Sequence, residues 1–266
     1  MKTIIAADAS TTTVTETDRS RLAQLLKRAG PFVDVKPLGY WRTMSNGDRW
    51  LQIVKQVCVM GSARGMSDLI GDTKRMAIFT RATSLRSWKR HGFDKKYMAS
   101  VLRGVTRFHR VAAQRLHSVI AAPGCVKGTR VTLFDGLPKG RNEMRSELMA
   151  RCRIFQCKSA SDFMIDTGLS HDVIALDTRV IGALKDHFDY RLFSAKRARG
   201  VKPATLSPDT IVQRLQSSKR LYFSVEDELR RVCQAADFSL AVLDQILFRF
   251  NGALEFLLKE IDSRPT

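Results

Sequence analysis

The sequence predicts an all-α protein, and three observations predict it. Apolar side chains recur at three- and four-residue spacing through most of the chain after Ser20. Breakers such as Gly30-Pro31 and Ala121-Ala122-Pro123-Gly124 end these segments. No region shows the two-residue alternation of a half-buried strand over more than a few positions. With 266 residues, 44% of them hydrophobic, the chain can bury one large core or two smaller ones that share a cleft.

Taken in order, the Ser/Thr-rich run from Ser10 to Thr17 reads as part of a flexible tail over residues 1–19. Leu22, Leu25, Leu26 and Ala29 then mark a helix that Gly30-Pro31 stops. Asp48 is placed to cap the next helix, whose stripe of Trp50, Leu51, Ile53, Val54, Val57 and Cys58 is wide enough to pack on several sides. From Met98 to Ile120 a long apolar side runs through Val101, Leu102, Val105, Phe108, Val111, Ala112, Leu116 and Ile120. Residues 124–140, directly after Pro123, hold glycines, Pro138 and Arg130-Val131-Thr132-Leu133-Phe134, which reads as a loop or brief hairpin. A basic connection near Ser194–Pro208 closes a helical region of residues 20–203, and residues 204–266 form a C-terminal helical part that packs back on it.

Charge narrows the function. Lys and Arg number 45 against 26 Asp and Glu, a formal net charge of +19. Residues 204–266 carry 8 basic and 9 acidic side chains, so the whole surplus lies before them. A basic face so concentrated points to a polyanion, nucleic acid first. No apolar run is long enough to span a bilayer, and the opening residues are too short in apolar character for a secretion signal, so the expectation is an intracellular protein, cytoplasmic or nucleoid-associated. Cys58, Cys125, Cys152, Cys157 and Cys233 are odd in number and scattered, which fits reduced thiols and supplies no metal-ligand set.

The chemistry-bearing segment is 143–188. Met144, Leu148 and Cys152 share one side of a helix. Ile154-Phe155-Gln156-Cys157 follows, and a second helix begins near Lys158 with Ala160, Phe163 and Met164 at core spacing. Gly168 stands where a helix C-cap is wanted, so residues 143–168 form a tight helical hairpin. An apolar connection, Leu169 to Leu176, leads to Asp177 just ahead of Val180, Ile181 and Leu184. Asp177 is there a helix N-cap, at the positive end of a helix dipole.

Lys158-Ser159-Ala160-Ser161-Asp162-Phe163-Met164, Gly168 and Asp172-Val173-Ile174-Ala175-Leu176-Asp177 together resemble the Lys-x-Ala-Ser-x-Phe-Leu … Gly … Asp-x-Ala-Ile-Leu-Asp segment of the 8-oxoguanine DNA glycosylase/AP lyases. These belong to the helix-hairpin-helix (HhH-GPD) superfamily, and the compact archaeal type is the most similar. Arg107-Phe108 with Ala112-Ala113 and Ile120, the Trp50–Gln56 helix, and Leu243-Asp244-Gln245-Ile246-Leu247-Phe248 resemble flanking pieces of the same family. Two positions depart. Ile154-Phe155-Gln156 stands where the family has Gly-hydrophobic-Gly, and Phe248 stands where it commonly has Trp.

The resemblance implies a two-lobed helical fold with the active site in the cleft between lobes, acting as a monomer on double-stranded DNA with no cofactor or metal. It implies a base-excision glycosylase with AP lyase activity, a damaged or modified purine such as 8-oxoguanine being favoured. Lys158 would attack the sugar C1′ of an extruded nucleotide, its amine freed by apolar neighbours such as Phe155 and Phe163. Asp177 would stabilise the positive charge that develops on the sugar. Arg107, Arg110, Arg151, Arg153 and Arg179 are candidate phosphate contacts, with Gln156 at the hairpin and His171 in the connection beside the DNA. Gln56 would meet the orphaned base or its strand, or equally be a capped polar residue of the core, and Phe248 would line the base pocket. Two other readings stay open: an HhH-derived DNA-binding module without catalysis, and a basic helical protein that binds RNA or a protein partner.

Overall fold

The computed structural model describes residues 14–59, 64–188 and 207–263. It is all-α apart from one two-stranded antiparallel hairpin. In chain order the helices are α1 (Glu16–Ala29), α2 (Asn46–Val59), α3 (Arg64–Ile70), α4 (Thr73–Thr83), α5 (Leu85–Arg90), α6 (Lys95–Leu102) and α7 (His109–Ile120). Strands β1 (Val126–Lys127) and β2 (Arg130–Val131) precede α8 (Arg141–Arg151), α9 (Cys157–Asp166), α10 (Thr178–His187), α11 (Pro208–Ser217), α12 (Lys219–Ala235), α13 (Leu240–Arg249) and α14 (Leu254–Asp262). Among the described residues no helix is long and apolar enough to cross a membrane.

Contacts within the chain define two compact units. One is Pro37–Leu169, and the other joins the residues up to Lys36 to those from Ser170 on. The boundary expected at residue 203 is therefore not where the contacts part. Val180, Ile181 and Leu184 give α10 a fully apolar side, which packs on α11, α13 and α14. Burying that apolar side ties α10 to the helices that follow it. The connection itself, with Lys196, Arg197, Arg199 and Lys202, lies outside the described residues.

In the 37–169 unit, α2 packs against α7 and α9 through Trp50, Ile53, Val54 and Val57. The Trp50 indole donates to the Thr83 carbonyl (2.8 Å) and that of Trp88 to Asp94 (2.8 Å), so each large ring is buried with its one polar atom satisfied. The start of α2 differs from expectation. Ser45 caps it, and Asp48 returns the bond to the Ser45 amide (3.1 Å) as the far half of a capping box. The long apolar side from Met98 to Ile120 is two helices, α6 and α7, broken at 103–108. The break is where α3 comes close: a Cβ on Gly65 would lie 2.1 Å from the Val105 carbonyl oxygen, an approach only glycine permits.

In the other unit, Leu22, Leu25 and Leu26 of α1 are completely buried and the helix packs on α12, α13 and α14. Of the tail expected over residues 1–19, residues 1–13 lie outside the described residues, and the rest is packed from Val14 on. Thr15 caps α1, and the Val14 amide donates to the buried Glu228 carboxylate (3.3 Å), which also accepts from Arg19 (3.0 Å). A buried carboxylate must be hydrogen-bonded, and Glu228 draws the start of the chain onto α12 to that end.

Candidate active site

Helices α8 and α9 form the expected hairpin, and the turn between them is built without glycine. None of residues 152–156 has a positive φ. Phe155 supplies the anchor in its place, buried against Phe163 with ring centroids 4.9 Å apart, and its amide donates to the Cys152 carbonyl (3.0 Å). Gln156 then caps α9 in a reciprocal bond pair with Ser159, its own amide donating to Ser159 Oγ (2.9 Å). The other end of α9 is clasped to the start of the unit. Gly168 adopts φ +64° and accepts from the Gly39 amide (2.8 Å), while Thr167 accepts from Trp41 (2.9 Å).

Lys158 is the second residue of α9. Its Nζ lies 3.4 Å from Asp162 Oδ2, one turn on, with about a quarter of each side chain exposed. Apolar rings flank it in sequence, as expected, but its polar neighbour is a carboxylate. The expectation of an amine freed by apolar surroundings is thus replaced by an ion pair.

Gln56 corrects a second expectation. It is buried, and its Nε2 donates to Asp162 Oδ2 and Asp166 Oδ2, each at 3.3 Å, so the amide is turned into the protein rather than toward a nucleic acid strand. Asp166 is exposed as a residue, yet enough protein surrounds its carboxyl that desolvation, first, and the Asp162 charge, second, raise its pKa to about 7. Lys55, Lys158 and the Gln56 amide act the other way.

Asp177 caps α10 as expected, its Oδ1 accepting from the amides of Arg179 and Val180, both at 2.9 Å. What precedes it was not anticipated. The 170–177 connection has no regular structure, so its buried main-chain groups need partners. Three core side chains supply them. Ile174 N–H donates to Glu226 (3.1 Å), Ala175 N–H to Asp244 (2.8 Å) and Leu176 N–H to the Tyr222 hydroxyl (3.2 Å). That hydroxyl in turn donates to the Ile174 carbonyl (2.6 Å). Arg230 ties Asp172 to the same helix (2.5 Å).

A signal for these residues was present in the sequence. Tyr222, Glu226, Leu229 and Cys233 share one helical face, as do Leu240, Asp244 and Leu247. A carboxylate in a core register needs buried donors, and an irregular stretch of main chain is the usual supplier.

The remaining candidates divide by use. Arg107, Arg110, Arg153 and Arg179 are exposed, Arg107 lying over the Phe108 ring (4.6 Å) and Arg179 over Phe248 (4.7 Å). Arg151 is not available in this way. It binds Glu147 (2.7 Å) and the carbonyls of Leu133 and Asp135, bracing the 124–140 loop against the hairpin. His171 contacts the Lys36 carbonyl through Nε2 (2.5 Å), and its own carbonyl accepts from Ala241 (2.9 Å). A concavity on α1 and α14, lined by Gln24, Lys27, Arg28 and Ile261, holds none of these groups.

No family model, curated protein or solved structure matches the chain at a significant level.

Proposed function

We propose that the chain is a DNA base-excision glycosylase with AP lyase activity, acting as a monomer on double-stranded DNA inside the cell. The observation that carries this reading is an order of elements. A tight helical hairpin places Lys158 in the first turn of its second helix, a left-handed glycine closes that helix, and a locked connection delivers Asp177 as the N-cap of the next. The two-lobed HhH-GPD architecture belongs to this proposal. It is supported by the division of the chain into two compact units.

In this reading the target nucleotide is extruded, because C1′ is out of reach in the stack. The Lys158 amine, as the free base, gives its lone pair to C1′. The glycosidic bond breaks with its electron pair on the departing base, which takes up a proton. Asp177 stabilises the positive charge that builds on the sugar. Ring opening leaves a Schiff base on Lys158, from which β-elimination cleaves the strand. A damaged or modified purine such as 8-oxoguanine is the favoured substrate, with Phe248 beside the extruded base. Arg107, Arg110, Arg153 and Arg179 are exposed and serve as phosphate contacts, with Gln156 and His171 near the strand.

Borohydride trapping tests the proposal. Wild-type protein should form a covalent adduct with duplex DNA containing an abasic site or 8-oxoguanine, and Lys158→Gln should form none. Duplex binding that weakens steeply with salt but yields no adduct would favour the non-catalytic DNA-binding module. Binding without preference for duplex DNA would favour the RNA- or protein-binding reading.

A further inference from the structure

Reading Lys158 as the attacking amine raises the question of what controls its proton. Two independent contacts bear on it. Asp162 Oδ2 lies 3.4 Å from Lys158 Nζ on α9, and the same oxygen accepts from Gln56 Nε2 on α2 at 3.3 Å. The second amide hydrogen of Gln56 goes to Asp166, also at 3.3 Å. Gln56 therefore pins two carboxylates of one helix, and Asp162 is the one turned to the lysine.

We infer that Asp162 is a positioning residue for Lys158: it holds the amine as an ammonium in an ion pair at rest, and so sets the pH above which the lysine is free to attack. The inference rests on the glycosylase reading. An isolated i,i+4 pair on an open helix is worth little, because solvent screens it and both side chains are free to leave. Here the carboxylate is anchored from a second helix and three quarters of each side chain is buried, which removes both escapes.

The charged groups around the pair fit this role. Desolvation, first, and the Asp162 charge, second, raise the Asp166 pKa to about 7, so Asp166 is mostly uncharged below neutrality. The Lys55 charge on α2 also acts on Asp166, lowering its pKa. Arg151 of α8 is turned away, to Glu147 and the 133–135 carbonyls. In the step itself the Lys158 N–H bond breaks, its electron pair stays on nitrogen, and the proton passes to solvent as pH rises.

The test is the pH profile of wild type, Asp162→Asn, Asp162→Ser and Asp162→Glu. Two readouts are taken. The first is the rate of borohydride trapping on abasic duplex DNA. The second is trace labelling of Lys158 by acetic anhydride without DNA, read by peptide mass spectrometry with the exposed Lys74 as internal reference. Removing the carboxylate should move the acid limb of both profiles down by about one pH unit, giving roughly tenfold more reaction at a fixed pH below the wild-type limb. Asp162→Glu should stay close to wild type. Profiles unmoved by both neutral variants would overturn the inference while leaving the glycosylase reading intact. A shifted labelling profile with no adduct from wild type at any pH would sink the glycosylase reading and leave the ion pair's control of the amine standing.

Discussion

Lys158 reaches its place along a flexible four-carbon side chain, with the Asp162 carboxylate 3.4 Å away. Asp177 is fixed through its own main chain, because the three residues before it each give an amide to a buried side chain. The first arrangement can be undone by moving one proton or one rotamer. The second cannot change without opening the core of α12 and α13. A nucleophile has to change protonation state and move during its reaction, whereas an electrostatic stabiliser works best when already in place. On the proposed glycosylase reading, the two modes of support match that division of labour.

Both supports can be broken, and the largest effect is expected at the end of α9. Gly168→Ala forces a side chain onto φ +64° and puts its Cβ 2.2 Å from the Pro37 carbonyl oxygen. The left-handed strain alone costs about 1–3 kcal/mol and the overlap adds to it, so urea or thermal unfolding should show the whole 37–169 unit destabilised. Asp244→Ala comes next. It strands the buried Ala175 amide at a cost of about 1.5–3 kcal/mol, visible in denaturant midpoints. Because the lost bond lies two residues before Asp177, the variant should also lose cleavage activity at temperatures where it remains folded. Full activity there would show that the locked connection serves stability alone.

The smallest effect is a pH dependence on the lysine side. Asp166 ionises near pH 7 in the folded chain and near 3.9 unfolded, so folding favours its protonated form. The penalty for its charge is absent below about pH 4, grows between 4 and 7, and is complete above 7. Asp166→Asn should therefore melt higher than wild type at pH 8 and the same at pH 4. A gap that is equal at both values would remove the raised Asp166 pKa from the account of Lys158.

How much of this was legible depended on whether a feature is local. The hairpin, the start of α9 within one residue of Lys158, the Gly168 cap and the Asp177 cap all follow from near neighbours, and all could be read from residue order. The Gln56 bond to Asp162 joins positions 106 apart, and the Ala175 bond to Asp244 joins positions 69 apart. No periodicity encodes such pairs; Gln56 stayed open between the DNA and the core, and Arg151 was read as facing DNA, because nothing near them in sequence shows what they touch. The break between α6 and α7 was hidden for the same reason, since it depends on Gly65 of a different helix.

By itself, then, the sequence determined an all-α chain, a basic surplus confined to its first 203 residues, and a lysine and a capping aspartate on successive helices. These are properties of composition, spacing and the main chain's own hydrogen-bonding needs. The tertiary structure alone decided where the contacts part, which carboxylate faces the lysine, and which core residues hold the connection. Each of those depends on which groups distant in the chain are buried together, and burial, by removing water as a partner, is what obliges those groups to find one another.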